Sequence, residues 1–318
     1  MLSSRIRLLG CASVLLAAAL SPRFEASANS RSSADSSPTS LPRLVLHPSR
    51  SSTSDLELGG ELAGLPPGSN RYISRDQLLA FPQVSYTVTD DANFKAPVQI
   101  SGVSLEELIL HLAAAPASAI VVAICDDQYR ANYPRAYVAA HRPVLVLTIN
   151  GQPPSGWPKD AEGHGQDLGP FLISHPTFTP SFKIFAHADE AQIPWGVVRL
   201  ELRSEKRVLD SIAPRGAHSA DKLVQDGYRI AQQNCFRCHN SGKEGGTKAG
   251  HPWLVLSAWA TASPEYFAAY IRHPQSRNPN AQMPGNPGYD DATIAALVAY
   301  FRAFAPSRAP MPSATEKQ

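Results

Sequence analysis

The sequence predicts a multidomain chain: a β-rich α+β domain over residues 56–203, then an all-α domain over residues 219–306. Two observations carry this. Short apolar runs bounded by turn residues recur through the first region, the pattern of strands. Past His218 the apolar spacing changes to the three-to-four-residue repeat of helices. Between them Ser204–His218 is charged, contains Pro214 and Gly216, and reads as a linker. The chain has 318 residues, room for about two domains. Its 43% hydrophobic content supports real cores and rules out global disorder.

At the N-terminus, Arg5 and Arg7 precede an apolar run from Leu8 to Leu20, and Ala26-Ser27-Ala28 offers small residues at cleavage spacing. Residues 1–28 therefore read as a secretory signal peptide, which places the mature protein in the periplasm or otherwise outside the cytoplasm. Leu8-Leu9-Gly10-Cys11 resembles a lipoprotein box, but most of the apolar run follows Cys11, the wrong order for a lipid anchor. No later apolar run reaches the ~20 residues of a spanning helix, so no stable membrane span is expected after cleavage. Without residues 1–28 the chain keeps 26 basic and 26 acidic residues. A nucleic-acid binder carries a basic excess, so that class is excluded. Residues 29–55, rich in Ser, Pro and Arg without periodicity, read as a flexible leader.

Within the first domain, Ile120–Cys125, Val144–Ile149 and Val197–Leu202 are the clearest strands. Val103–Leu112 has helical spacing, with Leu105, Leu108, Ile109 and Leu112 on one face and Ser104 as a cap before Glu107. Asn150-Gly151 marks a turn, and the Pro- and Gly-rich stretch from Pro153 to Pro170 a long irregular loop. In the second domain Asp221–Asn234 reads as a helix. Ser263-Pro264-Glu265 starts another, with a capping serine and proline at the first helical position. Asp290–Phe304 is the third, with Ile294, Leu297, Val298 and Phe301 on one face. Residues 307–318 form a loose tail.

Cys235-Phe236-Arg237-Cys238-His239 is a C-x-x-C-H haem-attachment motif. Each thiol adds across one vinyl group to form a thioether, and the two-residue gap sets the sulfurs one short turn apart, matching neighbouring vinyls. His239 then falls under the iron as an axial ligand. A C-x-x-C also serves as a redox dithiol or as half of a zinc site. The first wants a strand–helix setting and the second a further Cys or His pair, and the sequence offers neither. The second axial ligand is expected at Met283, 44 residues after His239 in a loop rich in Pro, Asn and Gly. His273 and His251 are the rivals. A thioether ligand favours ferrous iron relative to a second imidazole.

With these features in place, residues 219–306 resemble a class I cytochrome c. The order is an N-terminal helix, C-x-x-C-H, a glycine-rich loop, a middle helix, a Met-Pro loop and a closing helix. The resemblance implies one covalently bound haem c, single-electron transfer, and redox partner proteins. It assigns Gly227, eight residues before Cys235, to a close crossing of the first and last helices against Leu297 and Tyr300. It assigns Pro252 the carbonyl that orients the proximal imidazole, and Gly245-Gly246 a permissive loop near the haem. Trp253 after Pro252 departs from the pattern, and Trp259 follows; each serves as a propionate contact or as core.

Residues 60–203 resemble a shortened molybdopterin-binding domain of sulfite oxidase-type enzymes. The features are Ser74-Arg75-Asp76-Gln77-Leu78-Leu79 followed by Phe81-Pro82, Gly102-Val103-Ser104-Leu105 leading into a helix, Val121–Tyr129, and Val144–Gly151. The resemblance makes Cys125 a candidate molybdenum ligand. Against a bound molybdopterin stand the missing arginine in Leu168-Gly169-Pro170-Phe171-Leu172, the short length, and acidic Asp126 and Asp127 beside Cys125. The expected function is therefore an exported mono-haem electron carrier with a sulfite oxidase-like accessory domain, no catalytic residue being assigned. The alternatives are a haem-linked molybdenum dehydrogenase for a small substrate such as sulfite, and a redox-sensing or partner-binding module. Residues 215–306 carry nine basic and six acidic groups and residues 29–214 carry 15 and 19, opposite signs that attract weakly through screened water.

Overall fold

The computed structural model describes residues 44–159, 166–180 and 187–304. The expected signal peptide over 1–28, the leader over 29–43, the tail over 307–318 and residues 160–165 of the long loop lie outside the described residues.

The first part of the chain runs β1 (Leu56–Gly60), β2 (Arg71–Ile73), α1 (Arg75–Ala80), β3 (Val84–Val88), β4 (Val98–Ser104), α2 (Leu105–Leu112), β5 (Ala119–Cys125), β6 (Arg130–Tyr133), α3 (Arg135–His141), β7 (Val144–Ile149), β8 (Leu172–Ser174) and β9 (Val197–Ser204). These strands form a five-stranded sheet of order β2-β1-β9-β5-β6 and a four-stranded sheet of order β3-β4-β7-β8. The first sheet is antiparallel except for the parallel β1–β9 pair. Ser104 ends β4 and caps α2, its hydroxyl accepting from the Glu107 amide at 3.2 Å. The helix thus begins at Leu105, and Val103 stays in the strand.

Side chains alternate across a strand, and β5 uses both faces. Ala119, Val121, Ala123 and Cys125 enter the core between the sheets and helices of the first domain. Ile120, Val122 and Ile124 enter a second core made chiefly by the helical domain. All seven residues of β5 are buried, which explains an apolar run without polar alternation.

The helical part comprises α4 (Glu205–Asp210), α5 (Lys222–Asn234), α6 (Trp253–Ala262), α7 (Pro264–Arg272), α8 (Pro274–Arg277) and α9 (Asp291–Phe304). Three expectations need correction. The linker over 204–218 opens with α4, capped by the Ser204 hydroxyl and anchored by buried Val208 and Ile212. The end of the flexible leader is fixed: His47 pairs with Tyr72 through both backbone groups, and Asp55 is buried. Helix α6 had no counterpart in the element reading, because Trp-Leu-Val-Leu-Ser-Ala-Trp-Ala-Thr-Ala is apolar on every side and shows no periodicity.

Helices α5 and α9 cross at Gly227. A Cβ there would overlap the Ala296 carbonyl and the Tyr300 side chain. Leu297 and Tyr300 are both fully buried beside the crossing. Alanine would gain ~1 kcal/mol of helix propensity, but overpacking against a backbone carbonyl costs ~1–3 kcal/mol or more. Gly227→Ala is therefore expected to lower the melting temperature, by roughly 2–4 °C per kcal/mol lost. A melting temperature at or above that of the wild type would refute the tight crossing.

Candidate functional site

The attachment motif is a turn wound off the end of α5. The Cys235 and Phe236 amides donate to the Ala231 carbonyl at 2.9 and 3.0 Å, and the Cys238 and His239 amides to the Cys235 carbonyl at 3.2 and 2.9 Å. Phe236 pins the turn from within. It is fully buried, edge-on to Trp253 at 5.5 Å, and Trp253 Nε1 donates to the Tyr300 hydroxyl at 2.8 Å. The loop that follows folds back tightly. Gly245 has φ +84°, where an L side chain is strained, and a Cβ on Gly246 would collide with the Arg237 carbonyl.

His239 is buried, and its Nδ1 donates to the His251 carbonyl at 2.7 Å. That bond fixes the ring and leaves Nε2 as the nitrogen open to a metal. Burial lowers the His239 pKa despite this bond, which favours the neutral imidazole that a metal would need. The expectation named Pro252 as the carbonyl donor, and here the structure differs by one residue. The Pro252 carbonyl accepts from the amides of Val255 and Leu256 in the first turn of α6, which leaves the preceding carbonyl to hold the imidazole.

Cys235 and Cys238 form no disulfide. Burial pushes Cys235 up to about 12 and also raises Cys238, so both sulfurs carry their protons at pH 7. Neutral thiols at this spacing, a fixed neutral imidazole and a glycine-lined loop fit a covalently attached haem. Met283 is half-buried against the same core as Cys235 and Trp259. Its loop is tethered: Gln275 donates to the Met283 carbonyl at 2.9 Å, and the Asn286 amide donates to the Ile271 and Arg272 carbonyls at 3.1 Å. The rivals are less suited. His273 is exposed between α7 and α8, and the exposed ring of His251 lies edge-on to Trp259 at 4.8 Å.

The motif faces the first domain. The Arg130 amide donates to the Arg237 carbonyl at 2.9 Å, and the Thr247 amide to the Gln128 carbonyl at 3.3 Å. Gln192 Nε2 donates to Gln233 Oε1 at 2.7 Å, and Asn234 Nδ2 to the His187 carbonyl at 2.9 Å. Arg203 pairs with Glu244 at 2.5 Å, Lys248 pairs with Asp127, and the His187 ring lies 4.3 Å from that of Tyr289. None of these contacts was read from the sequence, since their partners lie far apart in the chain.

Cys125 ends β5 beneath this interface. Burial, then Asp127 and Asp126, push its thiol well above the ordinary cysteine range. Its turn is covered by Thr247 and Lys248. Cys125 is 3% exposed, with Asp126 and Asp127 beside it, an acidic and closed setting for an anionic pterin phosphate. Among the described residues no group of three or more His, Cys, Asp or Glu side chains is placed to hold a metal ion.

Residues 222–301 match the family model described as "Cytochrome C oxidase, cbb3-type, subunit III". The C-terminal part is a cytochrome c domain. Its presence indicates haem-based electron transfer with redox partners. No curated protein matches the chain. Among solved structures, the sulfane dehydrogenase SoxCD from Paracoccus pantotrophus aligns at 15% identity and a TM-score of 0.33, over 49% of this chain. The chain spans 40% of the length of that one. Among the described residues no helix is long and apolar enough to cross a membrane.

One buried polar cluster escaped the sequence reading because its members share no motif. The Tyr137 hydroxyl and His175 Nε2 lie 2.9 Å apart, and His141 Nε2 contacts both Asp189 oxygens at 3.1 Å. Phe178 stacks on His141 at 4.3 Å. Burial, then His141, depress His175 to about 3. An unfolded His175 binds a proton below its ordinary pKa while the folded one does not, so folding stability falls as pH drops from ~6.5 towards ~3. The loss is roughly 2 kcal/mol between pH 6.5 and 5. In denaturant titrations, the stability advantage of the wild type over His175→Gln should shrink by about this amount across that window. An advantage independent of pH would contradict it.

Proposed function

We propose that this protein is an exported c-type cytochrome with a single haem, bound to Cys235 and Cys238 and ligated by His239 and Met283, that passes single electrons between periplasmic redox proteins. The observation that carries this reading is the His239 Nδ1 bond to the His251 carbonyl, beside two protonated thiols at attachment spacing. Bound there, haem supplies a one-electron iron couple. The chain's own residues do the rest. His239 offers a neutral nitrogen in a fixed orientation. The tethered 278–290 loop presents the Met283 thioether, a ligand that raises the potential relative to a second imidazole. Phe236 and Trp253 keep water from the inner side of the motif.

The first domain, in this reading, keeps a sulfite oxidase-like scaffold without its metal chemistry, and serves as a fixed cover on the attachment side of the cytochrome. The buried Cys125, with Asp126 and Asp127 beside it and Thr247 and Lys248 over its turn, supports this over a molybdenum dehydrogenase.

Protein made in a host that matures c-type cytochromes and synthesises molybdopterin should carry one iron and no molybdenum per chain, with a haem that survives acid–acetone extraction. Stoichiometric molybdenum, or extractable haem, would overturn the reading. Met283→Ala should abolish the near-infrared band of a ferric iron–thioether bond and lower the midpoint potential. A persistent band would reassign the ligand.

A further inference from the structure

We propose that the first domain raises the reduction potential of the haem by closing over Arg237 and holding its half-buried guanidinium charge beside the attachment cysteines. This inference rests on the haem reading of the Cys235–His239 motif. Arg237 is the second of the two residues between the cysteines, and it points away from the cytochrome core. Its Nε donates to the Gln233 carbonyl one turn back. Its Nη2 donates to the Ala191 carbonyl at 3.3 Å, and its side chain bonds that of Tyr129. Its own carbonyl accepts from the Arg130 amide. Tyr129, Arg130 and Ala191 all belong to the first domain, so domain docking narrows this guanidinium's access to solvent and leaves Arg237 half-buried.

The group cannot escape burial by losing its proton, because a guanidinium stays charged in proteins. The Glu190 charge and the Tyr129 hydrogen bond further favour the cation. The carboxylate within electrostatic reach is Glu190, whose Oε1 bonds His187 Nδ1 at 2.6 Å and whose side chain is 36% exposed. Glu190 is engaged by His187 as well, so it does not pair with Arg237 alone. Both attachment cysteines feel the Arg237 charge. Coulomb repulsion from a poorly screened cation disfavours the more positive ferric state and so raises the potential.

The test is an equilibrium redox titration of the full-length haem-loaded protein, reading the ferrous-to-ferric ratio at a fixed ambient potential. Arg237→Gln should lower that ratio about tenfold, equivalent to ~59 mV for a one-electron couple, while Arg237→Lys should retain most of it. The difference between Arg237→Gln and wild type should persist at ~1 M salt, where the screening length is ~3 Å. No change in Arg237→Gln overturns the proposal. So does a difference that vanishes at high salt, since that charge would lie in water with the first domain playing no part. Glu190→Gln, altering a partly exposed side chain, gives an independent reading if Arg237→Gln matures poorly: losing a carboxylate near the Arg237 cation should raise the ratio, and a lower ratio overturns the proposal. A colourless wild-type protein would defeat the haem reading instead.

Discussion

Ile120, Val122 and Ile124 of β5 pack among the helices that carry the haem motif, while Ala119, Val121, Ala123 and Cys125 pack inside the sheet domain. A single strand thus contributes to two cores. Parting the domains would expose those three large side chains at ~1.5–3 kcal/mol each, roughly 5–9 kcal/mol as an upper figure. That is comparable to the whole stability of a typical domain. The polar contacts ringing the strand act at the rim, and exposed ion pairs such as Lys248–Asp127 add little. The two parts are best regarded as one folding unit whose halves have different chemistry.

Features fixed by local chemistry were the ones legible in the sequence. C-x-x-C-H spacing is set by the geometry of the porphyrin edge, and Gly227 is set by a crossing too close for a Cβ, so both are visible in one dimension. Ser104 and β7 were legible because caps and short apolar strands have local signatures. Helix α6 was not, since apolar residues on its exposed side as well as its buried one, Leu254 among them, erase the amphipathic period. The His251 carbonyl was missed by one residue because Pro252 already serves the first turn of α6. The docking of Arg237 against Tyr129, Arg130 and Ala191, and the cluster of Tyr137, His141, His175 and Asp189, depend on contacts between distant segments. Composition offered only the weak hint of opposite net charges.

The scaffold resemblance and the haem motif meet at Cys125. A cysteine at a strand end reads equally as a ligand or as a small buried hydrophobe. Its surroundings are two acidic neighbours and a covering loop from the cytochrome, and the residue itself is 3% exposed. The sheet domain then matters for what it encloses.

The backbone bonds between Arg130 and Arg237 and between Gln128 and Thr247 close the first domain over the attachment motif. On the proposed reading, joining a haem to Cys235 and Cys238 would have to precede this closure or wait for it to reopen. The covering domain comes before the motif in the chain, so the C-terminal segment would then face a race between prosthetic-group loading and sealing. A mutation that hastens the sealing would lower the yield of coloured product without touching a ligand.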